Sequence, residues 1–321
     1  MNIYRDISEI EYNRDTIVSL GTFDGVHKGH QKIINRLNEI ARQDNLRPLI
    51  ITMDPHPRIV LQNPDKPKIQ LLTSIKERLD LFQKFGVENV FIIHFTYEFS
   101  QTSPEEFIKN YLVDKIGLKK FLMGREHFFG RNRQGSYELL LEYSQKYDFE
   151  IEKVEDYVED DIVVSSTKIR HLLLEAGVAT AIKFLGYPYI VRGKVVHGNG
   201  RGATIGYPTA NIKPYDAYKL LPGDGVYLVS TEIDGKKLFG MANIGTRPTV
   251  TVDTKPTLEV HFFDFSDDLY DREIAVNFHY FIREEKKFKN IDELSYQIEK
   301  DELKCRDLID EHNLLNNLLN K

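Results

Sequence analysis

Over residues 15 to about 150, short apolar runs alternate with stretches of helical periodicity. The runs are 16–20, 48–53, 90–95 and 120–123. Residues 73–85 place Leu79, Phe82 and Phe85 on one side of a predicted helix. Ser103-Pro104-Glu105-Glu106 opens another, with serine as cap, proline in the first turn and acids at the positive end of the dipole. Strands alternating with helices predict an α/β fold, a doubly wound parallel sheet joined by right-handed crossovers.

From about residue 189 the helical period vanishes and glycine becomes frequent. Runs at 225–233 and 236–244 flank Asp234-Gly235, a two-residue hairpin signal. Residues 258–265 and 272–282 also read as strands. In the latter, Ile274, Val276, Phe278, Tyr280 and Ile282 alternate, which predicts one buried face. Short strands with turn signals predict a small antiparallel β-barrel. A terminal helix is expected over 291–319, packing through Ile291, Leu294, Ile298, Cys305, Leu308 and Ile309. The charged run 283–287 reads as a solvated face. The change at Leu185-Gly186-Tyr187-Pro188 predicts two domains, 1–185 and 186–321.

Composition narrows the options. The chain has 321 residues, 41% hydrophobic and 29% charged, enough for two cores. A formal net charge of −6 makes it a poor general binder of nucleic acid or anionic membrane. Its single cysteine, Cys305, excludes an intrachain disulfide and a multi-cysteine zinc site, and fits a cytoplasmic protein. No apolar run approaches the roughly 18 residues of a membrane span. Met1-Asn2-Ile3-Tyr4-Arg5-Asp6 lacks a basic region followed by an apolar one, so no secretory signal is expected.

The first chemistry-bearing stretch is Gly21-Thr22-Phe23-Asp24-Gly25-Val26-His27-Lys28-Gly29-His30, after the first strand and opening a helix. A doubly wound sheet binds ligands there, and helix-start N–H groups attract phosphate. Two histidines three apart can face one phosphate, with Gly29 allowing close approach. His27-Lys28-Gly29-His30 resembles the His-x-Gly-His signature of the nucleotidyltransferase superfamily, and the longer string resembles the form found in bacterial FAD synthetases. The resemblance implies that Gly21, Thr22, Phe23, Asp24, His27 and His30 bind ATP, with the histidines stabilising the transition state at the α-phosphate. Asp54-Pro55-His56-Pro57 resembles that family's flavin wall, which implicates Pro55 and Pro57. Ser165-Ser166-Thr167-Lys168-Ile169-Arg170 resembles its phosphate clamp, which implicates Ser165, Ser166, Thr167 and Arg170. Gly124-Arg125-Glu126-His127-Phe128-Phe129-Gly130 departs from the usual loop by carrying Glu126 for aspartate; Glu126 and Phe129 are still expected against the flavin.

The second stretch runs from His197 to Asn211, His197-Gly198-Asn199-Gly200-Arg201-Gly202-Ala203-Thr204-Ile205-Gly206-Tyr207-Pro208-Thr209-Ala210-Asn211. Its G-x-G-x-x-A match is not a dinucleotide fingerprint, because Pro208 follows and no helix opens. Glycines let a backbone wrap phosphate with its own N–H groups. Thr209 and Asn211 point the same way if extended, and their oxygens suit Mg²⁺. This stretch resembles the riboflavin kinase signature, as do Asn243-Ile244-Gly245-Thr246-Arg247-Pro248-Thr249 and Leu258-Glu259-Val260-His261-Phe262-Phe263. The resemblance implies an ATP-binding set of Gly198, Gly202, Gly206, Pro208, Thr209 and Asn211, metal contact by Thr209 and Asn211, and Glu259 as general base. By alternation Glu259 shares a face with His261 and Phe263.

Together the motifs imply a bifunctional riboflavin kinase and FMN adenylyltransferase using riboflavin, FMN, ATP and Mg²⁺ and producing FAD. The rivals are a superfamily member with a pantetheine-phosphate or polyol-phosphate substrate, and a flavin-binding regulator without turnover. The kinase-like half argues against the first, and retention of His27, His30, Thr209, Asn211 and Glu259 against the second.

Overall fold

The computed structural model describes residues 1–65, 67–124, 137–198, 202, 205–246 and 256–312. Its first unit is built on six parallel strands: β1 (Asn2–Tyr4), β2 (Thr16–Leu20), β3 (Arg47–Asp54), β4 (Asn89–His94), β5 (Leu118–Gly124) and β6 (Glu150–Val154). They hydrogen-bond in the order β1-β4-β3-β2-β5-β6. β2 is buried throughout, as an inner strand covered on both faces should be. The chain moves outward from β2 through β3 to β4, then returns to β5 on the other side of β2. That reversal leaves a crevice beyond the carboxyl ends of β2 and β5. The four expected strands are present. β6, at the sheet edge and carrying Glu150, Glu152 and Lys153, gave no apolar run to read. A small hairpin of β7 (Val158–Glu159) and β8 (Ile162–Val163) follows.

The helix after β2, Lys28–Gln43, buries Ile34, Leu37, Ile40 and Ala41. The helix Ile75–Lys84 starts at a capping box between Ser74 and Glu77. Its buried face is Glu77, Arg78, Leu81 and Phe82, while Leu79 and Phe85 are only half-buried. The stripe is therefore rotated from the expected one and takes two charged residues inward. Ser103 caps the helix that starts at Pro104, as its sequence predicts, and does so through a box with Glu106.

The chain divides into compact units after Ser166, Met1–Ser166 and Thr167–Lys321, ahead of the change of texture at Leu185-Gly186. The intervening helices, Ser166–Leu174 and Val178–Leu185, read as a continuation of the α/β half because they are helical. Their packing lies with the second unit: Gly223 N donates to Leu173 O at 2.9 Å, and Val178–Leu185 lies against strands of the barrel.

That barrel comprises β9 (Tyr189–Val196), β10 (Ala210–Pro214), β11 (Gly225–Ile233), β12 (Lys236–Thr246), β13 (Pro256–Phe262) and β14 (Glu273–Arg283). The strands close antiparallel in the order β10-β13-β12-β11-β14-β9, which removes every open edge. Asp234 at φ 51° and Gly235 at φ 76° form the hairpin that their dipeptide predicts. The terminal helix runs Ile291–Glu311. Cys305 and Ile309 bury against Val226, Leu228, Phe239, Met241 and Ile282, and burial pushes the Cys305 thiol up to about 12.

The single buried face expected of β14 is split. Its register against β11 slips twice, once at His279 and once before Arg283. Phe278 and Phe281 both turn inward on Tyr227, at ring separations of 5.5 and 5.4 Å. Tyr280 and Ile282 turn outward beneath the terminal helix. The bulged His279 is buried, with Nε2 2.8 Å from Ser230 Oγ.

Burial, with the Lys237 ammonium second, lowers the His279 imidazole from 6.5 to about 4. Because the folded state resists protonation, the stability this group contributes is complete above pH 6.5 and is lost as pH falls toward 4. The loss amounts to roughly 3 kcal/mol. Urea unfolding of wild type and His279→Gln should converge with falling pH across that window. A constant difference between them would assign the acid loss to other groups.

Candidate active sites

The crevice beyond β2 is occupied by residues 21–30. Phe23 at φ 48° and Val26 at φ 32° flank Gly25 at φ 82°. Two bulky residues at positive φ need an external brace. Asp24, 1% exposed, supplies it: its carboxylate accepts from Thr73 N at 2.9 Å, Thr73 Oγ1 at 3.1 Å and Leu72 N at 3.1 Å. Thr73 Oγ1 accepts in turn from Gly25 N at 3.0 Å. The Asp24 carboxylate thus serves the loop, while its carbonyl accepts from Ser166 Oγ at 2.8 Å. Gly21 N donates to Ile51 O at 3.0 Å, and a Cβ there would come 3.1 Å from the Phe23 ring. The Thr22 carbonyl accepts from Thr52 Oγ1 at 3.2 Å.

His27 caps the helix Lys28–Gln43, its Nδ1 accepting from His30 N at 3.4 Å. That acceptor role leaves the ring proton on Nε2. The two imidazoles stack with centroids 3.7 Å apart, and Phe23 backs His30 at 5.1 Å. Gly29 makes this possible, since a Cβ would come within 3.1 Å of the His27 ring. His30 Nδ1 is buried with no hydrogen-bond partner among the described residues. Burial first, then His27 and the Arg78 guanidinium, hold His30 well below the ordinary imidazole range. Lys28, inside the motif, is instead fixed to Glu159 at 2.9 Å, a hydrogen bond that raises its pKa.

At the end of β3, Asp54-Pro55 is a cis peptide and Pro57 opens the short helix Pro57–Val60. His56 is buried and caps it, Nδ1 accepting from Arg58 N at 3.1 Å. Pro55 and Pro57 stay half-buried at the strand end. Ser165 and Ser166 complete the first unit at this loop. Thr167, exposed, and Arg170, half-buried, follow on the other side of the division. Glu126 and Phe129 lie outside the described residues.

In the barrel, Glu259 of β13 stands opposite Asn211 of β10 and opposite Asn243 of β12. Asn211, Glu259 and Asn243 form a polar row across three strands. Thr209 Oγ1 donates to Glu259 Oε2 at 3.4 Å. His261 Nδ1 lies 2.8 Å from the Pro208 carbonyl, so it carries the proton. Tyr207 N donates to Gly202 O at 2.9 Å; a Cβ at Gly202 would strike the Tyr207 carbonyl, and one at Gly198 would strike the Asn211 amide. Gly206, at φ 84°, supplies the turn before Pro208. The structure therefore draws Gly198, Gly202, Pro208, Thr209 and Asn211 together with Glu259. Residues 199–201, 203 and 204 of this motif and 247–249 of the next lie outside the described residues.

A cavity of about 450 Å³ opens on this row. Thr209, Asn243 and Glu259 line one side, and Phe288, Ile291, Leu294 and Ile298 line the other. The run 283–287, expected to be a solvated face, is partly built into it. Arg283 Nε donates to Asp301 at 2.8 Å, both side chains largely buried, and Glu285 and Lys286 reach the cavity. The expected stripe of the terminal helix also divides. Its distal end packs on the barrel, whereas Ile291, 63% exposed, belongs to the cavity wall. Sequence reasoning gave no site role to Asn243, Arg283, Phe288 or Asp301. Asn243 lies in a motif already singled out, but only the β12–β13 register places it against Glu259.

A histidine pair on a parallel-sheet crevice and a glycine-packed carboxylate in a barrel define a two-site phosphate-handling enzyme. The chain belongs to the bifunctional riboflavin kinase/FMN adenylyltransferase family. A family model of FAD synthetase matches residues 9–168, and one of riboflavin kinase matches 185–309. A relative of that name from Listeria monocytogenes is 37% identical over 290 residues, covering 90% of this chain and 91% of its own. Another from Escherichia coli is 37% identical over 292 residues, with 91% and 92% covered. A solved Streptococcus pneumoniae chain described as a macrolide-efflux protein superposes with a TM-score of 0.84 at 33% identity, over 95% of this chain and 98% of that one. Among the described residues, no helix of the present protein is long and apolar enough to cross a membrane.

Two glycines separate site geometry from fold. A Cβ at Gly198 must displace the Asn211 amide, whereas one at Gly235 meets open space but keeps a strained φ. Gly198→Ala should lower riboflavin kinase activity by roughly 10². Gly235→Ala should leave it within about threefold while costing about 1 kcal/mol of stability. Steady-state assays and urea unfolding of both variants check this; equal activities would show that Asn211 can move freely.

Proposed function

We propose that this chain makes FMN and then FAD. The barrel unit phosphorylates riboflavin with ATP, and the parallel-sheet unit transfers AMP from ATP to FMN, releasing pyrophosphate. The observation that carries the reading is the coexistence of the stacked His27–His30 pair and the Glu259 cavity in a chain with full-length relatives of that name. Residues 1–185 are assigned to adenylyl transfer and 186–321 to phosphorylation.

In the first site, Nε2–H of His27 and the ring of His30 serve as preorganised donors to the α-phosphate. A neutral, water-shielded imidazole donates without demanding its own hydration, and its value rises as charge develops on the phosphate oxygens. Gly21, Thr22 and Phe23 lend backbone to the nucleotide, Asp24 holds that backbone in place, and Ser165, Ser166, Thr167 and Arg170 clamp the phosphates. Pro55 and Pro57, with Glu126 and Phe129, form the flavin wall.

In the second site, Glu259 removes the proton of the terminal ribityl hydroxyl as that oxygen attacks the γ-phosphate. Thr209 orients the carboxylate, and Asn211 and Asn243 hold its strand neighbours polar. The apolar wall of Phe288, Ile291, Leu294 and Ile298 suits the flat, apolar ring of a flavin. Gly198, Gly202, Gly206 and Pro208 shape the ATP loop.

Mg²⁺ fits the donors available. The Thr209 hydroxyl and Asn211 carbonyl are hard oxygens beside the Gly198 cradle. No cluster of three or more His, Cys, Asp or Glu residues suited to a metal occurs among the described residues, which favours an ion that relies on phosphate and water for its other ligands. When bound, Mg²⁺ would neutralise charge on the transferred phosphate. A cytoplasmic location agrees with the single buried Cys305.

Pure protein given riboflavin, ATP and Mg²⁺ should yield FMN and then FAD by chromatography. His30→Ala should cut FAD formation by roughly 10²–10³ and leave FMN formation intact. Glu259→Gln should cut FMN formation by roughly 10²–10⁴ and leave FAD formation from supplied FMN intact. Crossed effects, or no turnover by wild type, would defeat the assignment.

A further inference from the structure

Arg78 is among the largest fully buried side chains of the protein, 1% exposed, on the inner face of the helix Ile75–Lys84. Its Nη1 donates to Thr52 Oγ1 at 3.1 Å and to the Met53 carbonyl at 3.2 Å. Thr52 Oγ1 donates onward to the Thr22 carbonyl at 3.2 Å. Met53 immediately precedes the Asp54-Pro55-His56-Pro57 corner. One guanidinium therefore touches the strand end from which the proline corner departs and, through one hydroxyl, the loop that carries the histidines. It also lies close enough to His30 to lower that ring's affinity for a proton.

Burying a cation is costly, and an apolar residue of similar length is often tolerated equally well or better where only stability is at stake. A positive charge fixed behind a loop that faces polyphosphate has a second use. It sets a standing potential that needs no reorganisation when negative charge shifts toward the leaving pyrophosphate. A lysine would keep the charge but not the rigid guanidinium plane that aims Nη1 at both Thr52 and Met53.

We propose that Arg78 is a positioning residue for adenylyl transfer, fixing the histidine loop against the proline corner through Thr52 and Met53 while holding positive potential behind the phosphates. It acts through those neighbours and does not touch substrate. This rests on the adenylyltransferase reading of the first site.

The test uses full-length protein with FMN, ATP and Mg²⁺, measuring kcat and KM for FAD formation, with riboflavin phosphorylation on the same preparations as the control. Arg78→Met should lower kcat for FAD by roughly 10²–10³ while KM for FMN moves by less than about threefold. Arg78→Lys should regain at least about tenfold of that loss, because it restores the charge. Thr52→Val keeps the cation but cuts the link to Thr22, and should lower kcat by about tenfold. Riboflavin phosphorylation should be unchanged throughout. The proposal is overturned if Arg78→Met retains kcat within about threefold, or if lysine is no better than methionine. Should Arg78→Met fail to fold, Thr52→Val decides, and an unchanged kcat there overturns the proposal. Wild-type protein that makes no FAD overturns the adenylyltransferase reading itself and the proposal with it; active wild type with unaffected variants overturns the proposal alone.

Discussion

The first unit depends on one buried carboxylate. Between β2 and its helix the chain must turn sharply enough to aim two imidazoles at the same point, and it does so with Phe23 and Val26 at positive φ. Such a turn does not persist unaided. Asp24 makes it persist by collecting both amides and the hydroxyl of the Leu72-Thr73 segment. Because that segment leads straight into the helix Ile75–Lys84, the same contact aligns the helix and its buried Arg78 with the sheet. Loop conformation, helix placement and the stacking of His27 on His30 are consequences of where one aspartate finds its donors.

In the barrel the governing constraint is the opposite one, the absence of side chains. Gly198 and Gly202 let backbone lie against Asn211 and the Tyr207 carbonyl, at distances no Cβ would allow. With those approaches made, Thr209 reaches the Glu259 carboxylate, and the carboxylate stands between two amides in register. Closure of the barrel fixes all three strands at once, so the row needs no further brace. The terminal helix then adds an apolar wall facing the polar row.

Much of this was legible because local signals agreed with the fold. The runs at 16–20 and 48–53, the Asp234-Gly235 turn and the Ser103 cap each carry their own physics. The histidine pair, the proline corner and Glu259 could be named as candidates because short motifs mark them. What escaped depended on contacts distant in sequence. Arg78 looks like a solvent-facing charge until the Thr52 hydroxyl and Met53 carbonyl come within reach. Arg283 looks like part of a charged surface until Asp301 arrives on the terminal helix, the next element along the chain. Tertiary packing also decides that Ser166–Leu174 and Val178–Leu185 go with the barrel, a choice that periodicity cannot register because both alternatives bury a helix face.

The double slip of β14 gives that strand a property not visible in any single side chain. A perfect ladder assigns every residue to one side by parity. Here parity inverts after His279, sending Tyr280 out and Phe281 in, and reverts before Arg283, which emerges toward Asp301. The two offsets compensate, so the quantity preserved is the number of residues between Phe278 and Arg283 more than their identity. Exchanging side chains in that window perturbs packing locally. Removing one residue would rotate everything beyond it by half a turn, taking Arg283 away from its carboxylate and opening the cavity wall from a point outside it. In a barrel of this kind, chain length within a strand is itself a coordinate of the cavity that the strand helps to line.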